Sequence, residues 1–258
     1  MTRLISAIVL AFVVAVPAAS HAWVPETTAD GTNLIWWEPQ LTFHLGTAEP
    51  EEIDPAELPE VISSLYDQWI ATPCATVPEV TYGGLIDTEG ATDPNDSAPD
   101  SVIVFIRDKS AWQALSAIDP SAGKPAQLAL TFPAYDSEGR IIDADIVIND
   151  AYHEFTLSQE PKEGQIRLQT VLLHEIGHFY GLWHSLDDQA VMFASYDVSL
   201  DELTQDDIDG VCAIYANVPE LPAEDDGGSG GCAGGAGLPL WGLAFLGLGI
   251  LRRRAGAV

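Results

Sequence analysis

The stretch that decides the fold is His174-Glu175-Ile176-Gly177-His178-Phe179-Tyr180-Gly181-Leu182-Trp183-His184. On a helix turning about 100° per residue, His174 and His178 project from one face within reach of a single ion. Glu175 points beside that face, where it can hold a water without being a ligand itself. Gly181 stands where the helix must stop. Lacking a Cβ, it permits the tight, often left-handed exit that swings His184 back as a third ligand. Three neutral imidazoles leave one position of a tetrahedral zinc ion open, which is the arrangement of a catalytic rather than a structural site. The chain also supplies its own control: His153-Glu154 is another His-Glu pair, but no histidine follows four residues later. That pair reads as a loop or a strand end.

A second element follows at a fixed distance. Val191-Met192-Phe193-Ala194-Ser195-Tyr196 sets one of only two methionines eight residues beyond His184. A methionine alone is more often an adaptable core filler. Taken together, the segments resemble the matrixin branch of the metzincin zinc peptidases (peptidase M10 type). The resemblance rests on the eleven-residue motif, on Ser185 after the third histidine, on Met192 in the place of the Met-turn and on Tyr196 four residues later. Leu203 to Val211 with Ala213-Ile214-Tyr215 is similar to the last matrixin helix. Gln127 to Pro133 is similar to the edge strand, and Gly139 to Asp150 to the buried strand after it. The match covers residues 101 to 216, densest in its C-terminal half.

The resemblance implies a metzincin-like α/β (α+β) fold, a mixed twisted sheet with an active-site helix and a C-terminal helix. It implies one catalytic Zn2+ on His174, His178 and His184, with Glu175 as general base and the Met192 thioether beneath the site. The structural-zinc histidines of vertebrate matrixins have no counterpart, since His21, His44 and His153 are scattered. No Pro-Arg-Cys-Gly-type latency motif is present. A protein or peptide substrate is expected to lie extended along Leu128 to Phe132, with its main side-chain pocket between the zinc helix and Ala194 to Leu200.

Local patterning fills in the rest. Leu41 to Leu45 alternates like a half-buried strand, and Val80 to Ile86 reads as another. Asp54-Pro55 opens a helix through Leu58, Ile62, Leu65, Tyr66 and Trp69. Val102 to Ile106 is a continuous apolar run, hence a buried strand, followed by a short helical stretch at Trp112 and Leu115. Leu128 to Phe132 and Ile141 to Ile148 flank Ser137-Glu138-Gly139 and form a hairpin, with Ile142, Ala144, Ile146 and Ile148 on one face. Gln165 to Tyr180 is the zinc helix. Trp36-Trp37 reads as core packing. Asp87, Asp93, Asn95 and Asp96 could bind Ca2+ within a polar loop, although EF-hand spacing is absent and a solvated loop is the simpler reading.

The two ends follow a different logic. Arg3, the apolar run Leu4 to Val16 and Ser20-His21-Ala22 read as a signal peptide, residues 1–22, cut before Trp23. The matrixin-like domain is expected over 23–218 and an acidic, Gly-rich linker over 219–231. Residues 232–258 hold Cys232, the apolar segment Leu238 to Leu251 and Arg252-Arg253-Arg254. This end resembles a myxobacterial C-terminal sorting tag; a permanent membrane anchor is the alternative. Export, contact with the sorting machinery and an at least transient membrane association are the expectation, with the body at the cell surface or outside the cell.

With 39 acidic against 10 basic residues and a net charge of −29, the chain repels phosphate backbones, so nucleic acid is excluded as a partner. Cys74 and Cys212 remain once the tag is set aside. In an exported chain they suggest one disulfide, with two buried thiols as the other reading. The expected function is an exported zinc-dependent endopeptidase that uses a zinc-activated water, with Glu175 as base. The alternative is a surface-exposed zinc-binding adhesive module without turnover.

Overall fold

The computed structural model describes residues 21–48, 50–74, 76–87, 100–219 and 256–257. In chain order the elements are β1 (Val24–Pro25), β2 (Gln40–Gly46), α1 (Leu58–Ile70), β3 (Glu79–Ile86), β4 (Val102–Phe105), α2 (Lys109–Ala114), β5 (Ala129–Tyr135), β6 (Ile141–Ile148), β7 (Glu154–Thr156), β8 (Gln165–Arg167), α3 (Leu168–Phe179), β9 (Leu182–Trp183), α4 (Gln205–Ile214) and β10 (Gly256–Ala257). Five strands form a mixed sheet in the order β5-β6-β4-β2-β3. β3, β2, β4 and β6 run parallel, and β5 closes one side antiparallel to β6. The backbone of β10 lies antiparallel along the outer edge of β5, opposite Leu130 and Thr131.

The apolar run in β4 has a direct physical reading. Ile103 and Phe105 enter the core that also holds α1 and α3, while Val102, Val104 and Ile106 enter a second core with Trp112 and Leu115 beside α2. Both faces of the strand are covered, so no polar alternation is left in the sequence. α1 forms where expected: Pro55–Glu57 makes a 3-10 turn before it, and the Asp54 carboxylate accepts from Ala56 N. Its Trp69 is fully buried and donates from Nε1 to Leu173 O at 3.1 Å, tying α1 to α3. Trp36 is also core and donates to Phe179 O at the C-terminal end of α3.

Two expectations need correction. The zinc helix does not start at Gln165. Gln165–Arg167 pairs in parallel with Glu154–Thr156, and the helix begins at Leu168. Backbone pairing with a distant segment overrides local helix patterning here, and nothing in residues 165–167 signals it. The alternation proposed for β6 is also broken. The register shifts between Ala134 and Tyr135, so Ile141 rather than Ile142 joins the core. A bulge of this kind resets which side chains face inward. Asp143 then becomes buried, and its Oδ1 accepts from Ser101 N and Ser101 Oγ. Burial, with the nearby Asp100 adding to it, raises the Asp143 carboxyl to about 6.

Cys74, beyond the end of α1, is joined to Cys212 of α4 in a disulfide with Cα atoms 5.1 Å apart. Among the described residues no helix is long and apolar enough to cross a membrane. The expected signal peptide up to residue 20, most of the linker, Cys232 and the apolar segment of the tag lie outside the described residues, as do Asp93, Asn95 and Asp96 of the acidic loop.

Candidate metal centre

α3 carries His174 and His178 one turn apart, with their Nε2 atoms 3.1 Å from each other. The other nitrogen of each ring is held by a backbone carbonyl. His174 Nδ1 meets Val191 O and His178 Nδ1 meets Leu182 O, both at 2.7 Å. A carbonyl only accepts, so each Nδ1 carries the proton and each Nε2 offers a lone pair. Two lone pairs facing each other so closely repel unless a cation lies between them. Burial keeps both rings neutral, the form that ligates a metal. It lowers His174 to about 3, with His184 adding to the shift, and holds His178 well below the usual imidazole range.

His184 arrives by the route that the motif spacing implies. Gly181 adopts φ 93°, and a Cβ there would stand 2.0 Å from Leu34 O. Only glycine takes both that backbone conformation and that close approach. The chain then pairs Leu182–Trp183 antiparallel with Val24–Pro25. This places the ring nitrogens of His174, His178 and His184 within 4.8 Å of one another. In a tetrahedral zinc site with bonds of about 2.0–2.1 Å, ligand nitrogens stand about 3.3 Å apart. The spacing of His174 and His178 matches that figure, so the donor set suits zinc.

Glu175, the residue that follows His174 on α3, is fully buried. Its Oε2 accepts from Thr131 Oγ1 at 2.5 Å, while Oε1 is enclosed without a hydrogen-bond partner. Burial pushes the carboxyl up to about 8, opposed by the Thr131 hydroxyl. The orphaned Oε1 fits a group that can donate a hydrogen bond to it, such as a metal-linked water.

The matrixin family (peptidase M10) matches residues 35–216. The chain belongs to the matrixins. It is similar to matrix metalloproteinase-27 of Tupaia belangeri, 49% identical over 61 residues, which is 22% of this chain and 12% of that protein. Interstitial collagenase of Oryctolagus cuniculus is 27% identical over 186 residues, covering 71% of this chain and 33% of the collagenase. Metalloendoproteinase 1 of Glycine max is 38% identical over 65 residues, 24% of this chain and 21% of that protein. The chain thus spans about a third or less of the length of these curated relatives.

In this matrixin the Val191–Met192 segment, expected as the Met-turn, is a built support. Val191 O orients His174, and Met192 is buried against the zinc helix. A Cβ on Gly177 would lie 2.1 Å from Met192 Sδ and 2.9 Å from Trp69 Cζ2. The glycine inside the motif is therefore the space that admits the methionine. Gly177→Ala gains about 1 kcal/mol of helix propensity but overpacks this contact. We expect a net loss of about 1–3 kcal/mol, read from the urea midpoint. An unchanged or raised midpoint would dismiss the steric argument.

Asp207 was not singled out from sequence, yet it anchors the turn. Its carboxylate, fully buried in the first turn of α4, accepts from Val191 N, Met192 N, Thr204 N and Thr204 Oγ1 at 2.7–3.0 Å. Thr204 and Asp207 form a capping box, and that spacing was the available signal. Neighbouring Asp206 accepts from Ser185 Oγ, Ala22 N and Trp23 N, drawing the segment after His184 and the N-terminal segment onto the same helix end. Thr131, which donates to the Glu175 carboxyl, lies within a strand expected only to bind substrate. Asp100, Asp143 and Asp145 form a second carboxylate group within 4.8 Å, but Asp143 and Asp145 already turn oxygens to the amides of Ser101 and Val102.

Proposed function

We propose that this matrixin is an exported zinc-dependent endopeptidase. The observation that carries the reading is the convergence of three imidazole nitrogens within 4.8 Å of one another, with an unsatisfied, buried Oε1 on Glu175, the residue that follows His174. Zinc bound there would polarise a scissile carbonyl and acidify a water. His174, His178 and His184 would hold it, and the carbonyls of Val191 and Leu182 keep two of the rings in the ligating tautomer. Glu175 takes a proton from the attacking water on Oε1 and returns it to the leaving amine, the double duty of a positioned base. Thr131, through its hydroxyl on Oε2, keeps the other carboxylate oxygen occupied.

The peptide would lie extended against β5. That edge accepts a further strand, as the antiparallel pairing of Gly256–Ala257 with Leu130 and Thr131 illustrates, and a substrate would take the place of that pairing. Pairing through the main chain gives affinity with little sequence choice, so selectivity falls to side-chain pockets. The Cys74–Cys212 disulfide supports an oxidising location, as expected for a chain led by residues 1–22 and retained through 232–258.

The test is hydrolysis of a broad peptide library by the full chain, before and after chelation and again after zinc is restored. Cleavage that disappears with the chelator and returns with zinc is expected. A zinc-loaded, folded protein that cleaves nothing would instead favour the adhesive binding module.

A further inference from the structure

Next to the zinc site a cavity of about 980 Å³ opens between β1, β9, the start of the β5–β6 hairpin and the loop 118–124. None of its lining comes from Ala194 to Leu200, where the main pocket was expected. Trp183 forms one wall, and its ring centroid lies 5.0 Å from that of His184 and 5.7 Å from that of His178. Phe132 and Pro133 form another wall, immediately after the Thr131 that holds the base. The cavity therefore adjoins the reacting centre.

Glu26 lines this cavity and is only 6% exposed. Its backbone is fixed on both sides, the N–H donating to Gly181 O and the carbonyl accepting from Leu34 N, both at 2.8 Å. The turn that delivers His184 thus also sets the position of Glu26. Among the described residues no hydrogen bond or ion pair reaches its carboxyl, and burial alone raises it to about 8, so it stays protonated near neutral pH until a cation enters beside it and favours the ionised form. A buried acid without a partner is costly and contributes nothing to stability. The other ionisable groups around the cavity are Asp119, whose Oδ1 accepts from Ser121 N and Oγ, and Lys124, which is exposed. Two acids face one base, in a chain of net charge −29 that draws cations towards it. The aromatic and proline walls suit the methylene stem of a long cationic side chain, with Trp183 open to a cation–π contact.

Strand polarity fixes where such a side chain belongs. β5 runs from Ala129 to Tyr135, so a peptide antiparallel to it passes Pro133 and Phe132 before Thr131. The cavity therefore faces substrate residues on the N-terminal side of the cut. We propose that it is a specificity pocket for a lysine or arginine on that side of the scissile bond, with Glu26 as the counter-charge. The proposal rests on the peptidase reading given above.

The test uses the full, zinc-loaded chain and two matched peptide sets, with lysine or norleucine at each of the three positions before the cut. We expect kcat/KM to favour lysine by about tenfold or more at one position, as for a charge pair shielded from water. In Glu26→Gln the lysine-to-norleucine ratio should fall to near one; because it is a ratio, it is unaffected by a smaller fraction of folded protein. The wild-type preference needs no variant, and a chain that cleaves both sets equally overturns the pocket while leaving the peptidase reading intact. If neither set is cleaved, the peptidase reading fails, and calorimetry of the same peptides decides the pocket. Tighter lysine binding that is lost in Glu26→Gln supports it, and equal binding by the wild type overturns it.

Discussion

Glu175→Gln should yield a folded protein that retains zinc and hydrolyses peptides about 10³-fold more slowly, within the 10²–10⁴-fold range of a positioned acid–base group. Glutamine has the same shape and can still accept the Thr131 hydroxyl that now meets Oε2 at 2.5 Å. It cannot take up a proton, so only the transfer step is removed. The imidazoles are oriented by Val191 and Leu182, not by Glu175, and metal content measured by atomic absorption should stay near one ion per chain. Folding should not suffer. The native carboxyl is fully buried, with its ionised form disfavoured, and a neutral amide is the cheaper group to enclose. Zinc lost together with activity, or turnover within about tenfold of wild type, would remove Glu175 from the role of base.

The largest stability effect is expected at Asp207. Asp207→Ala strips four hydrogen bonds at once and leaves Val191 N and Met192 N facing a void. Unsatisfied buried amides and lost charge-assisted bonds together should cost about 3–5 kcal/mol, read from the denaturation midpoint. The damage should also reach the metal. Val191 O holds the His174 ring, so a displaced Met-turn should weaken zinc binding about 10–100-fold, the usual effect of losing a ligand's supporting contact. Competition with a chromogenic chelator reads this directly. Asp207→Asn keeps one acceptor oxygen and should fall between the two. A loss under about 1 kcal/mol in the alanine variant would mean that the turn is held elsewhere.

The convergence of the three histidines was legible in sequence because it is local. His174 and His178 are set by one helical turn, and Gly181 permits one exit, so spacing alone carries that geometry. What supports the centre is not local. Thr131 reaches Glu175 across 44 residues and Trp69 reaches Leu173 across 104, and no pattern within a short window encodes either contact. Glu26 lies still further from any motif, and only the pairing of β1 with β9 brings it beside the site. The five strands of the main sheet were readable from apolar patterning, whereas the face assignment in β6 held for Ala144, Ile146 and Ile148 and failed at Ile142, next to the bulge that shifts the register. The start of α3 failed for a related reason, since a three-residue strand partner competed with the helix.

The Cys74–Cys212 link joins positions 138 apart in sequence, and one end of it follows the helix that bears Trp69 while the other lies in the helix that bears Asp207. The first helix sets Trp69 beside Gly177, where Met192 also packs, and the second grips Met192 through its amide. A chain made where glutathione keeps thiols reduced would forgo up to about 5 kcal/mol of loop-closure entropy at that grip. The stability of the proposed metal centre is thereby coupled to the redox poise of the compartment in which the polypeptide finishes folding.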